Sequence, residues 1–307
     1  MKAAPFAYHR PDSVEEAVGL LAEYGDEAKI LAGGQSLVPM LAMRLTHFDN
    51  LVDVSRVTEL CGIDLVDDDV VIGAATPHAL VGMDDEVAES VPLLTLATPH
   101  IGHFQIRTRG TLGGAVAHAD PAAEYAAAAL ALDATIEATS RRGDRQIPAG
   151  EFFTGLWENA LEPDEMLRAV RFPVWPGRTG YAVREFARRH GDFAIAGATV
   201  AVALDDDDRV TRCGIGLLGL GSTPLRATAA EDAVTGRGLA ELSAGEIGAL
   251  AMSGLTDVPS DLQGSASYRT RVGAAMVARA WNEATGQAGT DGPGVLTGTA
   301  KTEASHA

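Results

Sequence analysis

Lys29-Ile30-Leu31-Ala32-Gly33-Gly34-Gln35-Ser36 runs from a short apolar strand straight through two glycines into a helix whose pattern continues to Leu45. Consecutive glycines let the backbone come close to a ligand, and successive N–H groups at a helix start form an anion pocket. Gln35 and Ser36 add side-chain donors. A diphosphate suits such a pocket, but a plain strand-to-helix turn reads the same way, so this stretch alone leaves both open. Upstream, Asp12 or Ser13 caps a helix that carries Glu15 and Glu16 in its first turn. Val14, Ala17, Val18, Leu21 and Tyr24 recur there at helical spacing, and Gly25 ends it. Leu51–Val54 reads as the next strand, so residues 1–60 form a small α/β unit.

The same device returns in Thr111-Leu112-Gly113-Gly114-Ala115, preceded by Arg107-Thr108-Arg109-Gly110 and followed by Ala117-His118-Ala119-Asp120-Pro121. Two such loops could close on one diphosphate from two sides. Around the second loop, 70–72, 134–139 and 166–172 read as strands, 84–89, 92–97 and 122–132 as helices, and 102–114 as a loop. Pro173-Val174-Trp175-Pro176-Gly177 interrupts any element and marks a boundary. Beyond it, 181–187, 196–204 and 210–218 are strand-like, with Asp205–Asp208 as the turn of an antiparallel hairpin. Helical patterns follow over 227–234, 244–252 and 268–285, and 286–307 lacks any apolar period and reads as a disordered tail.

Composition narrows the function classes. The chain has 307 residues, 46% hydrophobic and 21% charged, as expected of a globular protein of two or three domains. A net charge of −18 argues against a nucleic-acid partner, since phosphate backbones need a basic face. No apolar run approaches the ~20 residues of a transmembrane helix, and the start does not read as a signal peptide. Cys61 and Cys213 are too few for a disulfide framework or an iron–sulfur cluster and read as small buried apolar residues, all of which fits the cytoplasm. Gly214-Ile215-Gly216-Leu217-Leu218-Gly219 matches GxGxxG, with Glu231 and Asp232 loosely spaced behind it. Its glycines lie inside a strand and no helix follows, so it reads as a glycine-rich sheet strand rather than a dinucleotide fingerprint. His100, His103 and His118 lack further ligands at metal spacing and read as loop residues against a ligand; no metal site is expected.

Several further segments recur in order: Phe6-Ala7-Tyr8-His9-Arg10-Pro11, Ile101 through Gln105, His118-Ala119-Asp120-Pro121-Ala122-Ala123-Glu124-Tyr125, the stretch Phe186–Ala194, and Asp261 through Arg269. With the two glycine loops, they make residues 4–285 resemble the FAD-binding medium subunit of the aerobic carbon monoxide dehydrogenase type, within the molybdenum hydroxylase (xanthine dehydrogenase) family. The resemblance implies an α+β fold. A two-subdomain α/β FAD-binding (PCMH-type) region, residues 1–60 and 61–176, precedes a C-terminal α+β domain, 177–285, with an antiparallel sheet and helices. It also implies noncovalent FAD, with Ala32, Gly33, Gly34, Gln35 and Ser36, and Gly110, Thr111, Gly113, Gly114 and Ala115, around the diphosphate. Lys29 and Ile101 would lie along the cofactor, with His118 and Asp120 in the same set. Glu124 would take the place of an acidic residue bonding the ribityl or flavin side, Leu167 would touch the cofactor near the last strand, and Asp192-Phe193 would lie near the isoalloxazine ring. Two departures stand out: Ala115 replaces a Ser or Asn, and Arg184-Glu185 stands where a lysine is common, leaving Arg184 to supply the cation.

The chain has no cluster cysteines and no molybdopterin-binding region. The resemblance therefore implies the electron-exit component of a heterotrimer, cytoplasmic or held at the inner membrane face through the complex. Its partners would be a large molybdopterin-binding subunit and a small 2Fe–2S subunit, and no side chain of this chain need act as acid or base. A stand-alone flavin-dependent oxidase of PCMH topology is the alternative; it would need a substrate cavity over the flavin. A flavin-free nucleotide-binding or assembly module is a third reading.

Overall fold

The computed structural model describes residues 2–289. Strands β1 (Ala7–His9), β2 (Ala28–Leu31) and β3 (Asn50–Asp53) form a parallel sheet in the order β1-β3-β2, with α1 (Val14–Tyr24) and α2 (Leu37–Met43) as crossovers. Ser13 caps α1, its Oγ accepting from the Glu16 N–H at 3.1 Å, and Ala17, Val18 and Leu21 are the buried stripe. That stripe packs on Val52, Leu60 and Met166 in a small core. Helix α2 stops earlier than its pattern suggests, because Arg44 closes it in the left-handed region at φ 59°. Strand β1 was not expected: it has three residues, and none of them is buried.

The middle region comprises β4 (Ile63–Val66), β5 (Asp69–Gly73), α3 (His78–Val81), α4 (Asp85–Ser90), α5 (Pro92–Ala97), α6 (Phe104–Arg107), α7 (Leu112–His118) and α8 (Glu124–Ala131). It continues through β6 (Thr135–Ser140), β7 (Gly143–Pro148), α9 (Ala149–Phe152), β8 (Phe153–Gly155), β9 (Glu158–Asn159) and β10 (Met166–Pro173). An antiparallel sheet, β4-β5-β10-β6-β7, carries the helices on the large core around Ile72, Tyr125, Phe152 and Phe172. The sequence conceals β4 and β7 because both are edge strands and mostly exposed, so neither shows apolar alternation. The span 102–114 is not all loop. It holds α6 and the first turn of α7, whose two glycines mask its helical character.

Strands β11 (Arg178–Phe186), β12 (Ala196–Leu204), β13 (Val210–Leu218) and β14 (Leu225–Arg226) then follow one another in an antiparallel sheet. Asp205 organises the β12–β13 turn by accepting from the N–H groups of Asp207 and Arg209. The sheet is backed by α10 (Thr228–Val234), α11 (Ala244–Ala251) and α12 (Ala266–Gly289). Residues 286–289, expected in the tail, are instead the last turn of α12. Ala288 is buried there and its carbonyl accepts from Arg178 Nε at 3.2 Å. The remainder of the expected tail, 290–307, lies outside the described residues.

The GxGxxG stretch has a packing role. A Cβ on Gly214 would lie 1.9 Å from the Ala131 carbonyl oxygen, and one on Gly216 2.1 Å from that of Ala127. These glycines and the alanines of α8 let the helix lie directly on β13, which joins the middle region to the C-terminal sheet. Glu231 is buried beneath, accepting the Ile215 N–H at 2.7 Å and pairing with Arg226.

The two cysteines differ, which corrects the expectation that both are buried. Cys213 is buried, and burial pushes its thiol well above the ordinary range, whereas Cys61 is exposed. A thiol reagent such as DTNB therefore modifies one cysteine rapidly in the native chain, and Cys61→Ser abolishes that phase. Rapid labelling of Cys213 would contradict this packing.

Candidate functional site

Strand β2 delivers the first glycine loop onto the second. A Cβ on Gly33 would lie 2.1 Å from the Arg109 carbonyl oxygen and 2.6 Å from Gly110 Cα, so only glycine permits the contact. Gly34 turns the chain at φ 72°, toward α2. Among the described residues no protein oxygen accepts from the backbone N–H groups of Gly33, Gly34, Gln35 or Ser36. The Gln35 side chain folds back to donate to the Gly33 carbonyl at 3.0 Å. On the other side, Thr111 caps α7 by accepting the Gly114 N–H at 3.1 Å, Gly113 is pressed against Ala74, and Ala115 follows half-buried. A row of free N–H donors facing a second glycine loop fits a diphosphate. Beneath Gly110 lies His78, buried, with neither ring nitrogen hydrogen-bonded; burial lowers its pKa to about 4, so the ring is a neutral spacer packed edge-on against Tyr125.

Lys29, on β2, reaches solvent yet is hemmed in by protein, and desolvation lowers its pKa. Its ammonium sits 5.7 Å from the Phe48 ring centre. His118 ends α7; burial lowers its pKa, opposed by the charge of Asp120 and assisted by that of Lys29. Its ring lies parallel to that of Trp157 with centroids 6.3 Å apart. Trp157, at the β8–β9 turn, holds a left-handed φ of 58° and donates its indole N–H to Asp120 Oδ2 at 3.1 Å. The other Asp120 oxygen accepts the Ala122 N–H at 2.8 Å. Nothing in the sequence marks Trp157, because only the folded hairpin brings it to Asp120.

Ile101, half-buried, follows the helical turn Thr98–His100, and Arg107 fixes its carbonyl at 3.1 Å. Glu124 is the first residue of α8; burial raises its pKa to about 8, with the charges of Glu185 and Asp120 adding to the effect. Glu185 in turn lies against His100, with Oε1 3.2 Å from Nδ1. Alternation along β11 sends the preceding side chain the other way. Arg184 pairs with Glu283 of α12 at 2.5 Å, so the cation expected from Arg184 is turned toward α12 and an acid, Glu185, faces Glu124. Leu167 is buried in the large core at the β10 bulge. Asp192 and Phe193 are on the exposed β11–β12 connection, which Gly191 holds close to the His103 ring. Phe193, Trp157 and Asp120 border a cavity of about 250 Å³. The fold thus gathers both loops, Lys29, His118, Asp120 and Glu124, while Arg184 and Leu167 are directed elsewhere.

Two touching glycine loops at strand and helix ends, with polar groups arrayed beside them and a sheet domain laid over α8, make an arrangement whose free N–H donors suit a dinucleotide. Residues 4–175 match the family described as the FAD binding domain in molybdopterin dehydrogenase, and residues 181–284 match the CO dehydrogenase flavoprotein C-terminal domain. The chain belongs to this family, the FAD-binding subunits of molybdenum hydroxylase-type complexes. It is 43% identical over 279 residues to the 6-hydroxypseudooxynicotine dehydrogenase complex subunit alpha of Paenarthrobacter nicotinovorans, covering 91% of this chain and 94% of that one. It is 38% identical to the carbon monoxide dehydrogenase medium chain of Afipia carboxidovorans over 92% of this chain and 98% of that one. The structure of carbon monoxide dehydrogenase from Hydrogenophaga pseudoflava superposes with a TM-score of 0.90 at 36% identity, covering 94% of this chain and 99% of its counterpart.

Proposed function

We propose that this chain is the electron-exit subunit of a molybdenum hydroxylase, taking electrons from the 2Fe–2S clusters of a small partner and delivering them to an external acceptor. The substrate would be oxidised on a large molybdopterin-binding partner, and the assembly would work in the cytoplasm. Within the chain, 1–60 and 61–176 would hold the cofactor and 177–285 would cover it. FAD, when bound, supplies the redox chemistry. The chain's own residues bind and orient it. The N–H groups of Gly33 to Ser36 would neutralise the diphosphate from one side, and the Gly110–Ala115 turn would close the other. Lys29 would add positive charge, while Asp120 and Glu124 would hydrogen-bond its neutral parts.

The observation that carries this reading is the direct contact between the two loops, which leaves consecutive N–H donors without a protein acceptor. An absorbance spectrum of the purified chain, before and after incubation with FAD, is the test. Flavin bands retained by the protein and released by acid precipitation are expected. No bound flavin, either in the isolated chain or in the chain co-expressed with its partners, would overturn the reading.

A further inference from the structure

Helix α6 and the β11–β12 connection lie side by side. A Cβ on Gly191, at φ 84°, would sit 2.7 Å from His103 Cε1, and the His103 and His190 rings stack with centroids 6.4 Å apart. Arg188 extends this contact to the 261–264 turn, its Nη2 donating to the Leu262 carbonyl at 2.8 Å. The face so formed is basic, in a chain of net charge −18. Among the described residues Arg107, Arg109, Arg188 and Arg189 have no carboxylate partner, whereas Arg142, Arg145, Arg171, Arg178 and Arg226 each pair with an acid. Residues 102–109 contain no acid, and Asp192 is the single one in 186–193. Large apolar side chains stand among these cations: Phe104 is 68% exposed, Phe193 62% and Leu262 98%. The face also borders the cleft, because α6 runs between Ile101 and Gly110, and Phe193 edges the cavity shared with Asp120.

We propose that this face receives a small acidic electron-carrier protein, the external acceptor, in a transient complex. This deepens, and rests on, the reading of the chain as an electron-exit subunit. Arginines and aromatic rings with few acids are the composition of protein-binding surfaces. A permanent subunit interface is broad and apolar, with its charges paired. Unpaired, solvated guanidinium groups around a few apolar side chains suit the small interfaces of electron-transfer encounters instead. The acidic remainder of the chain repels an acidic carrier, so attraction at this face turns the encounter toward the cleft. An anionic lipid surface fits less well. The three exposed arginines, Arg109, Arg188 and Arg189, fall short of the clusters of about 4–8 basic residues that lipid recognition uses. Each substrate molecule oxidised by the assembly releases two electrons and two protons. Two carrier molecules are reduced in turn at this face, each by one electron, and the protons pass to solvent.

The test measures binding of an acidic plant-type ferredoxin to the immobilised full chain over a range of ionic strength. Association should slow steeply as salt is added. Arg109→Glu and Arg189→Glu should each slow it about tenfold. Arg209→Glu is the control: it makes the same charge change in the β12–β13 turn, at the far end of the sheet, and should shift the rate by less than about twofold. Phe104→Ala removes an exposed ring that belongs to none of the buried cores, and should speed dissociation about fivefold without changing the salt dependence. A ferredoxin that does not bind at low salt, or that binds both reversal variants as it binds the wild type, overturns the proposal. So does binding of phosphatidylserine vesicles in place of ferredoxin, abolished by the same variants, which would make the face a lipid contact. Loss of ferredoxin binding once the chain is assembled with its co-expressed partners overturns it as well, since the face would then be a permanent interface. Ferredoxin binding of the expected kind by a chain that retains no FAD, alone or with its partners, overturns the flavin reading while leaving the docking face in place.

Discussion

Gly33→Ala should lower FAD affinity about a hundredfold while leaving the C-terminal sheet folded. The added methyl carbon would sit 2.1 Å from the Arg109 carbonyl oxygen and 2.7 Å from its carbon, and backbone cannot rotate aside as a flexible side chain can. The strain can be relieved only by parting the two loops. Overpacking of this kind costs ~1–3 kcal/mol, and here the displaced groups are the proposed diphosphate donors themselves, so the cost falls on binding. Gly150→Ala is the control, because a Cβ there meets nothing within 4 Å and the residue lies within α9. Flavin titrations of both variants, beside a thermal melt, separate binding from folding. Unchanged affinity in Gly33→Ala would show that the interloop contact does not form the binding surface.

Why some of the molecule could be read from sequence and some could not follows from where each residue's constraint comes from. Strands β12 and β13 carry nearly continuous apolar runs because both of their faces are covered, and the pattern located their limits correctly at Ala196–Leu204 and Val210–Leu218. The glycine pairs at Gly33-Gly34 and Gly113-Gly114 are visible because the residue type itself is the mark: Gly34 holds a φ of 72°, while Gly33 and Gly113 leave no room for a Cβ against Arg109 and Ala74. Edge strands β4 and β7 left no such trace, since solvent tolerates any polar sequence on them. The face choice on β11 was hidden too. Val183 is buried, Arg184 exposed and Glu185 partly buried, so the strand shows two charges in succession, and only the positions of α12 and His100 decide which points to the cleft. Trp157 is the extreme case, being placed entirely by a tertiary contact to Asp120.

Arg269→Ala should give a large loss of stability in the C-terminal domain. Arg269 is 3% exposed and ties together three segments. Nη1 donates to the carbonyls of Ile195 and Gly219, at 2.6 and 3.3 Å, and Nη2 to both oxygens of Asp261, at 2.8 and 2.7 Å. It therefore holds the start of β12 and the end of β13 against the 261–264 turn, where Asp261 also accepts the N–H groups of Gln263 and Gly264. Truncation leaves two carbonyls without their charged donor. Removing one partner of a fully buried pair costs ~3–5 kcal/mol, but the Asp261 side chain is half exposed and can rehydrate, which brings the expectation to ~2–4 kcal/mol. In a chain of this size that is a fall in Tm of about 5–10 °C. The pH dependence has a definite sign. The Arg269 hydrogen bond holds the Asp261 carboxyl below its ordinary range, so its share of the stability is present above the unfolded value near ~3.9 and is lost as pH falls through the folded value. The gap in Tm between wild type and Arg269→Ala should accordingly narrow in acid. Arg269→Lys should fall between them, since an ammonium keeps the charge but cannot span Asp261 and the two carbonyls as a planar fork does. Because Ile195 follows directly on Asp192-Phe193-Ala194, the same substitution should loosen the Phe193 side of the cavity beside Trp157. Of the three tryptophans, Trp175 and Trp281 are buried, so a changed accessibility of tryptophan fluorescence to an added quencher in Arg269→Ala reports mainly on Trp157. A variant that melts with the wild type would mean that the apolar contacts of α12 hold this corner without the clamp.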